Sequence, residues 1–272
     1  MRIARCGVEG ASAAESGCGI AASGRRAFGW CLAAVVAAAT LVVPAAADAQ
    51  RAGPQIERWS SPTLKRIQST GVVRVGYREN SPPFAFLDAK GKPIGYSLDI
   101  CEVVVDAIAR EVDREVRVEY KAVTPENRFD LVTSGAIDLE CGSSTNTAER
   151  RKSVAFSPTM FVTGTKLLVR RGSGIRSLRD LDGKTVVLTR GTVHETAVPK
   201  IAERQKLKIN FVFGADHNES FKILADGKAD AFANDDVQLY GMLADKKAAA
   251  DFRVVGDFLT YADYALMFRR DD

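Results

Sequence analysis

Strand-like and helix-like segments alternate along this chain, and the alternation breaks near residues 161–165 and then starts again. No other feature of the sequence restricts its fold as much. Residues 63–69 read as a short helix with Leu64 and Ile67 inward. Residues 72–77 read as a strand, bounded by Gly71 and by Ser81-Pro82-Pro83. Residues 84–87 and 93–96, joined by Asp88-Ala89-Lys90-Gly91, suggest a hairpin. Ser97 can cap the next helix, 98–111, where Ile100, Val103, Val104, Ala107 and Ile108 recur as an inward stripe. A strand at 116–120, a helix at 127–134 stopped by Gly135, and a strand at 136–140 complete the first pass. The second pass has strands at 166–169, 185–188, 209–213, 229–234, 252–255 and 264–268. Between them lie a short turn-helix at 178–181 and helices at 195–205, 220–226 and 237–249. Such a rhythm implies α/β architecture, a largely parallel sheet with helices on its faces. Two passes imply two lobes: 63–163 with a returning segment at 258–272, and 164–257.

The first fifty residues stand outside that rhythm. Arg25-Arg26 precede an apolar stretch, 28–44, and Ala45-Ala46-Ala47-Asp48-Ala49 follows. A charged start, an apolar centre and small residues at a cleavage point make a secretory signal. Its centre, 30–43, is short for a membrane span. The expectation is a signal peptide at 1–49, a polar linker at 50–62 and a mature chain in the periplasm. Of five cysteines, Cys6, Cys18 and Cys31 fall in the signal, leaving Cys101 and Cys141. An even pair in an oxidising compartment favours a disulfide; the other reading is two buried free thiols. Two His in the whole chain do not make a zinc site, and neither metal nor cofactor is expected. The net charge of +4 is spread along the chain. No basic run is interleaved with aromatics, so nucleic acid is not expected.

In open α/β sheets, ligands bind beyond the carboxyl ends of the strands. Arg78 follows the 72–77 strand. The run from Glu140 to Arg150 follows the 136–140 strand and sets Ser143, Ser144 and Thr145 just ahead of Arg150. Small hydroxyl residues in a turn offer hydroxyls and backbone N–H groups, and a guanidinium adds a planar fork of donors. Gly191-Thr192-Val193 leads from a strand into a helix, where amides and the helix dipole favour an anion. Asp235 follows the 229–234 strand. Cationic groups with one carboxylate suit a zwitterion: its carboxylate to Arg150 and the Thr192 turn, its ammonium to Asp235. Arg78 is then left over for an acidic side chain. Plainer readings stand beside each of these. A surface Arg is usually solvated. Arg151 and Lys152 compete with Arg150, Asp236 is a natural N-cap for a helix from 237, and His217 lies in a 214–218 loop. Gly191-Thr192 alone is a common tight turn.

These residues resemble a known family, the periplasmic solute-binding proteins of amino-acid ABC transporters, and within it the glutamate/aspartate binders. The matching segments include Gly76-Tyr77-Arg78, Gly95-Tyr96-Ser97-Leu98-Asp99, Asn127-Arg128, Asp138 to Asn146, Glu149-Arg150, Thr189-Arg190-Gly191-Thr192, Asp216-His217 and Asp235-Asp236. The likeness runs from about Leu64 to Asp272. The resemblance implies the type II periplasmic-binding-protein fold, each lobe a mixed sheet flanked by helices, closing by a hinge on one amino acid. It implies Arg150 on the α-carboxylate with Thr145 and the Thr192 amide, and Asp235 on the α-ammonium. Arg78, Arg128, Ser143 and His217 then surround an acidic side chain. It also implies a membrane permease as partner to a monomeric binder. Two positions depart from the pattern: Pro125 and Val193 stand where these binders tend to have hydroxyls. The chain stops at Asp272, where the family normally continues with helices that complete the first lobe, so those helices are expected to be missing.

Three function classes compete. A transport binding protein needs no catalytic group, and no nucleophile in the Glu140–Arg150 run is paired with a base. A cyclohexadienyl or arogenate dehydratase on the same fold would need a general acid. His217, Glu79, Glu126 and Glu140 are its candidates. A receptor's sensing domain would need a membrane span after the lobes.

Overall fold

The computed structural model describes residues 60–270 together with Asp272. The expected signal peptide, its three cysteines and most of the expected linker lie outside the described residues. In chain order the helices are α1 (Pro62–Thr70), α2 (Tyr96–Glu111), α3 (Arg128–Thr133), α4 (His194–Arg204), α5 (His217–Ala225) and α6 (Asp236–Asp245). The strands that build lobe 1 are β1 (Val72–Tyr77), β2 (Asn80–Ser81), β3 (Ala85–Leu87), β4 (Pro93–Ile94), β5 (Arg117–Ala122), β6 (Leu139–Glu140) and β7 (Val154–Phe156). Then come β8 (Phe161–Arg170), β9 (Thr185–Thr189), β10 (Asn210–Gly214), β11 (Ala231–Asp235), β12 (Phe252–Val255), β13 (Tyr261–Tyr264) and β14 (Met267–Arg269).

Two mixed sheets result. The first has the order β5-β1-β6-β14-β7, parallel through β6 and antiparallel beyond it. The second has the order β10-β9-β11-β8-β12, parallel through β11 and antiparallel at β8 and β12. A small β2-β3-β4 meander stands beside the first. The second sheet shows why its strands are nearly continuous apolar runs. Leu167, Val169, Val186, Leu188, Ala231 and Ala233 face one side, packed with Val198 and Ile201 of α4. Leu168, Val187 and Phe232 face the other, packed with Phe221 and Leu224 of α5 and Leu239 and Met242 of α6. Side chains alternate along a strand, so a sheet covered on both faces needs apolar residues at every position.

The break at 161–165 is itself a strand. The first half of β8 pairs antiparallel with β13, Tyr261 opposite Gly164 and Tyr264 opposite Phe161. The second half of β8 joins the second sheet. After β13 the chain enters β14, in the first sheet. The lobes are therefore joined by a two-stranded ribbon.

Helix α2 corrects two expectations. It starts at Tyr96 with Gly95 as its cap residue, and no side chain caps it. Ser97 is inside the first turn and donates instead to the Gly142 carbonyl, 2.7 Å away. Its most buried residues are Leu98, Cys101 and Val105; of the expected stripe Ile100, Val104 and Ile108 are half-buried against the same core, whereas Val103 is 65% exposed and Ala107 is exposed. Cys101, at the centre of that face, is disulfide-bonded to Cys141. Helix α6 ends at Asp245 rather than 249, and Pro62 is the first residue of α1, capped by Ser61.

Candidate functional site

One narrow cleft collects the chemistry-capable side chains. Arg78, Arg128, Ser143, Thr145 and Arg150 line it from lobe 1, and Thr192, His217 and Asp235 line it from lobe 2. All eight sequence candidates therefore meet in one place. Each lies at or just past a strand's carboxyl end, or in the loop or helix that follows, as the topology requires. An apolar groove under α1, walled by Leu64, Ile67, Ile108 and Phe268, lies elsewhere on lobe 1.

On the lobe 1 side, three guanidiniums are gathered. Arg78, directly after β1, is 1% exposed, and its Nη2 has no hydrogen-bond partner among the described residues. Burial presses its pKa down to about 9, and the nearby Arg128 charge adds to this. Arg128, at the start of α3, is buried and likewise lowered by burial. Arg150 opens a 3-10 turn, Arg150–Lys152, and donates to the Thr145 carbonyl at 2.9 Å. Burial first and Arg128 second bring it to about 9. All three remain charged at neutral pH. The competing cations face elsewhere: Arg151 is exposed on Asn146, and Lys152 is exposed on Glu149. Phe129 supports the cluster, with the Arg128 and Arg150 guanidiniums 5.0 and 4.9 Å from its ring centre. Glu140 is fully buried and accepts from Ser144 at 2.7 Å. Its charge offsets part of the arginine field.

On the lobe 2 side, Asp235 ends β11 and is 1% exposed. Burial pushes its pKa up, but the His194 charge and hydrogen bonds from His194, Tyr264 and Thr165 hold it below the ordinary carboxylate value. His194 Nε2 is 3.1 Å away and Thr165 Oγ1 3.3 Å, while the Tyr264 hydroxyl makes a short contact with Oδ2. Burial, with Asp235 next, raises the Tyr264 phenol well above its usual value, so it is the donor. His217 is not in a loop. It is the first residue of α5, capped by Asp216, which accepts from the Glu219 amide at 2.8 Å. Burial, then the Arg78 charge, holds His217 well below the usual imidazole value. It is therefore neutral at pH 7, with Nδ1 3.0 Å from Thr189 Oγ1.

The Gly191 turn differs from the expected open cradle. The Gly191 amide donates to Glu195 at 2.9 Å, and Thr192 Oγ1 donates to the Thr189 carbonyl at 2.6 Å. The Gly191 carbonyl accepts from Arg128 at 3.2 Å and from Arg150 at 3.3 Å. Gly191 has φ +67°, and a Cβ there would lie 2.7 Å from the Pro125 carbonyl carbon and 2.8 Å from the Glu126 amide. Only glycine satisfies both the left-handed backbone and that approach between the lobes. Asp236 is not the cap expected for α6: it is the helix's first residue, the cap position is Asp235, and no side chain makes a capping bond there. Asp236 accepts from the Val237 amide at 2.8 Å and from Thr163 at 2.7 Å.

Sequence reasoning missed His194, Tyr264, Phe129, Asn234 and Gln238. The signal for His194 was available: it is one of only two histidines and directly follows the Gly191 turn. Of the general-acid candidates, Glu79 and Glu126 are exposed and Glu140 is tied to Ser144, leaving His217 in the cleft. No group of three or more metal-ligating side chains occurs among the described residues.

Two mixed-sheet lobes on a two-stranded connection, with a charged cleft between them, define a type II periplasmic binding protein. Solved structures agree. The arginine-bound form of truncated ArgBP from T. maritima superposes with a TM-score of 0.66 at 26% identity, over 76% of this chain and 92% of that one. The ancestral amino-acid-binding protein AncCDT-1, a precursor of cyclohexadienyl dehydratase, gives 0.64 at 26% identity, over 76% and 86%. Residues 73–200 match the family model of the bacterial extracellular solute-binding proteins, family 3. The glutamate/aspartate import solute-binding protein of Escherichia coli (strain K12) is 39% identical over 211 residues, 77% of this chain and 70% of that protein. The L-glutamate/L-aspartate-binding protein of Pseudomonas aeruginosa is 42% identical over 212 residues, with the same coverage. The chain belongs to the bacterial extracellular solute-binding proteins, family 3.

Proposed function

We propose that this protein binds glutamate or aspartate between its lobes in the periplasm and delivers it to the permease of an ABC transporter. The observation that carries this reading is the charge arrangement of the cleft. Two buried guanidiniums, Arg78 and Arg128, and the half-buried one of Arg150 face a buried carboxylate, and Arg78 keeps an unpartnered Nη2 there among the described residues. A dicarboxylic amino acid supplies two anions and one cation to match. Arg150 takes the α-carboxylate, with Thr145 and Thr192 beside it, and Asp235 takes the α-ammonium. Arg78, Arg128, Ser143 and His217 surround the side-chain carboxylate. Neutral His217 serves as a single donor, which adds a hydrogen bond without a further charge. The names of the relatives from Escherichia coli and Pseudomonas aeruginosa support the same choice of ligand.

Residues 1–49 act as the export signal on this reading, and the mature protein works as a monomer without a cofactor. The dehydratase alternative has one neighbour in its favour, the dehydratase precursor. Against it stands the neutrality of His217, the one acid candidate named from the sequence that lies in the cleft, while the other imidazole there, His194, is 3.1 Å from Asp235. Thermal-shift screening against the twenty amino acids, alongside a prephenate turnover assay, tests the proposal. Stabilisation by glutamate and aspartate with no turnover is the expected result. Turnover of prephenate, or stabilisation by basic amino acids instead, would refute it.

A further inference from the structure

Helix α6 carries a glycine in its interior, Gly241. Glycine is a poor helix former, because it loses more backbone freedom than alanine on ordering. Nothing within α6 calls for it, since Gly241 is not among the positive-φ glycines. The opposite lobe does. A Cβ at this position would lie 2.5 Å from the Pro82 carbonyl oxygen, 2.7 Å from its carbon and 3.0 Å from the Pro83 nitrogen. All three are backbone atoms, so no rotamer change could make room. Pro82 and Pro83 lie in the turn between β2 and β3 of lobe 1, shortly after Arg78. Nearby, Val237 of α6 packs against Phe84 and Tyr264, so helix and turn meet along a continuous apolar seam.

We propose that Gly241 sets ligand affinity from outside the cleft: the bare helix surface there lets the lobes shut, and any side chain holds them apart. The proposal rests on the reading of the protein as a clamp that closes on its ligand. Hinge motion separates α6 from the Pro82–Pro83 turn, so a methyl group at 241 costs nothing in the open form and collides in the closed one. A ligand bound by both lobes then loses affinity by the factor through which closure is disfavoured. Within the lobe, the same methyl improves the helix. The free protein and the complex should therefore respond with opposite signs, although Gly241 is not among the residues that line the cleft, and the closed fraction should fall with the affinity.

The test compares wild type with Gly241→Ala by thermal unfolding, by calorimetric titration with glutamate and aspartate, and by fluorescence transfer between dyes on the two lobes. Cysteines replacing the exposed Val103 and Lys228 would carry the dyes. In Gly241→Ala the ligand-free melting temperature should stay level or rise by about 1–5 °C. Affinity should fall on the order of ten- to a hundredfold, and the closed fraction should fall with and without ligand. Unchanged affinity and closed fraction would overturn the proposal. So would a lowered ligand-free melting temperature, because the collision would then lie within the folded open protein. If wild type binds neither acidic amino acid, the functional reading fails. The closed fraction of the two free proteins still decides whether Gly241 governs closure.

Discussion

Arg78 shows what the cleft asks of a single residue. Its guanidinium is buried, and Nη2 is without a partner among the described residues. A buried guanidinium whose charge Glu140 offsets only in part is a liability until an anion arrives. Arg78→Met should therefore raise the stability of the ligand-free protein by about 1–2 kcal/mol. It should also weaken binding of an acidic ligand by about 2–5 kcal/mol. Denaturant unfolding and titration read the two effects separately, and a destabilised free variant would contradict the account. Phe129 acts at one remove, under two of the guanidiniums. Phe129→Leu keeps the bulk and removes the ring face, so affinity should drop by about 0.5–2 kcal/mol. Equal affinity in that variant would mean that the ring serves only as packing. His217 gives a pH signature. Its folded pKa is depressed by burial and by Arg78. The unfolded chain therefore takes up a proton that the folded chain refuses. Stability is complete above about pH 6.5, the ordinary imidazole value, and falls by up to about 1.4 kcal/mol per pH unit below it. His217→Asn should flatten that slope in urea unfolding measured at several pH values. A wild-type slope of zero between pH 5 and pH 6.5 would count against a buried neutral imidazole.

At the scale of elements, the loop between β6 and the Arg150 turn is held from behind by α2. The disulfide from Cys101 to Cys141 and the hydrogen bond from Ser97 to the Gly142 carbonyl both anchor it. A crosslink spanning 40 residues is worth about 4 kcal/mol on the chain-entropy view. Replacing both cysteines by serine should cost roughly that much stability. It should also weaken ligand binding, because Ser143 and Thr145 lie just beyond the bond. Loss of stability with wild-type affinity would leave the disulfide a role in folding alone. Helix α2 also marks where the sequence ceased to be readable. Its existence, length and half of its inward face follow from apolar periodicity, with Ile100, Val104 and Ile108 against the core, but the centre of that face lies on Leu98, Cys101 and Val105, and the partner of Cys101 is forty residues away. The strands of the second sheet were legible because both faces are covered. The start of α5 was not, since Asp216 as a cap depends on a backbone turn that no window of apolar residues reveals. Six of the cleft candidates, Arg78, Ser143, Thr145, Arg150, Thr192 and Asp235, were found from their place after strands, and Arg128 and His217 joined them through the family resemblance. His194, Tyr264 and Phe129 escaped because their importance lies in contacts with residues far along the chain.

For the whole molecule, the two-stranded ribbon of β8 and β13 joins the two lobes, and on the proposed reading it is where the clamp flexes. Each lobe has its own core, and the cleft side chains are shared between them. The arrangement puts cations mainly on lobe 1 and Asp235 on lobe 2, so an acidic amino acid can bridge the lobes by its opposite charges. The direct test is calorimetric titration of residues 50–272 with glutamate and with glutamine, which share a shape and differ by one charge. The account predicts tighter binding of glutamate by about two orders of magnitude, with most of that preference lost in Arg78→Met. Equal or tighter binding of glutamine would contradict the central claim that the surplus guanidinium exists to meet a side-chain carboxylate.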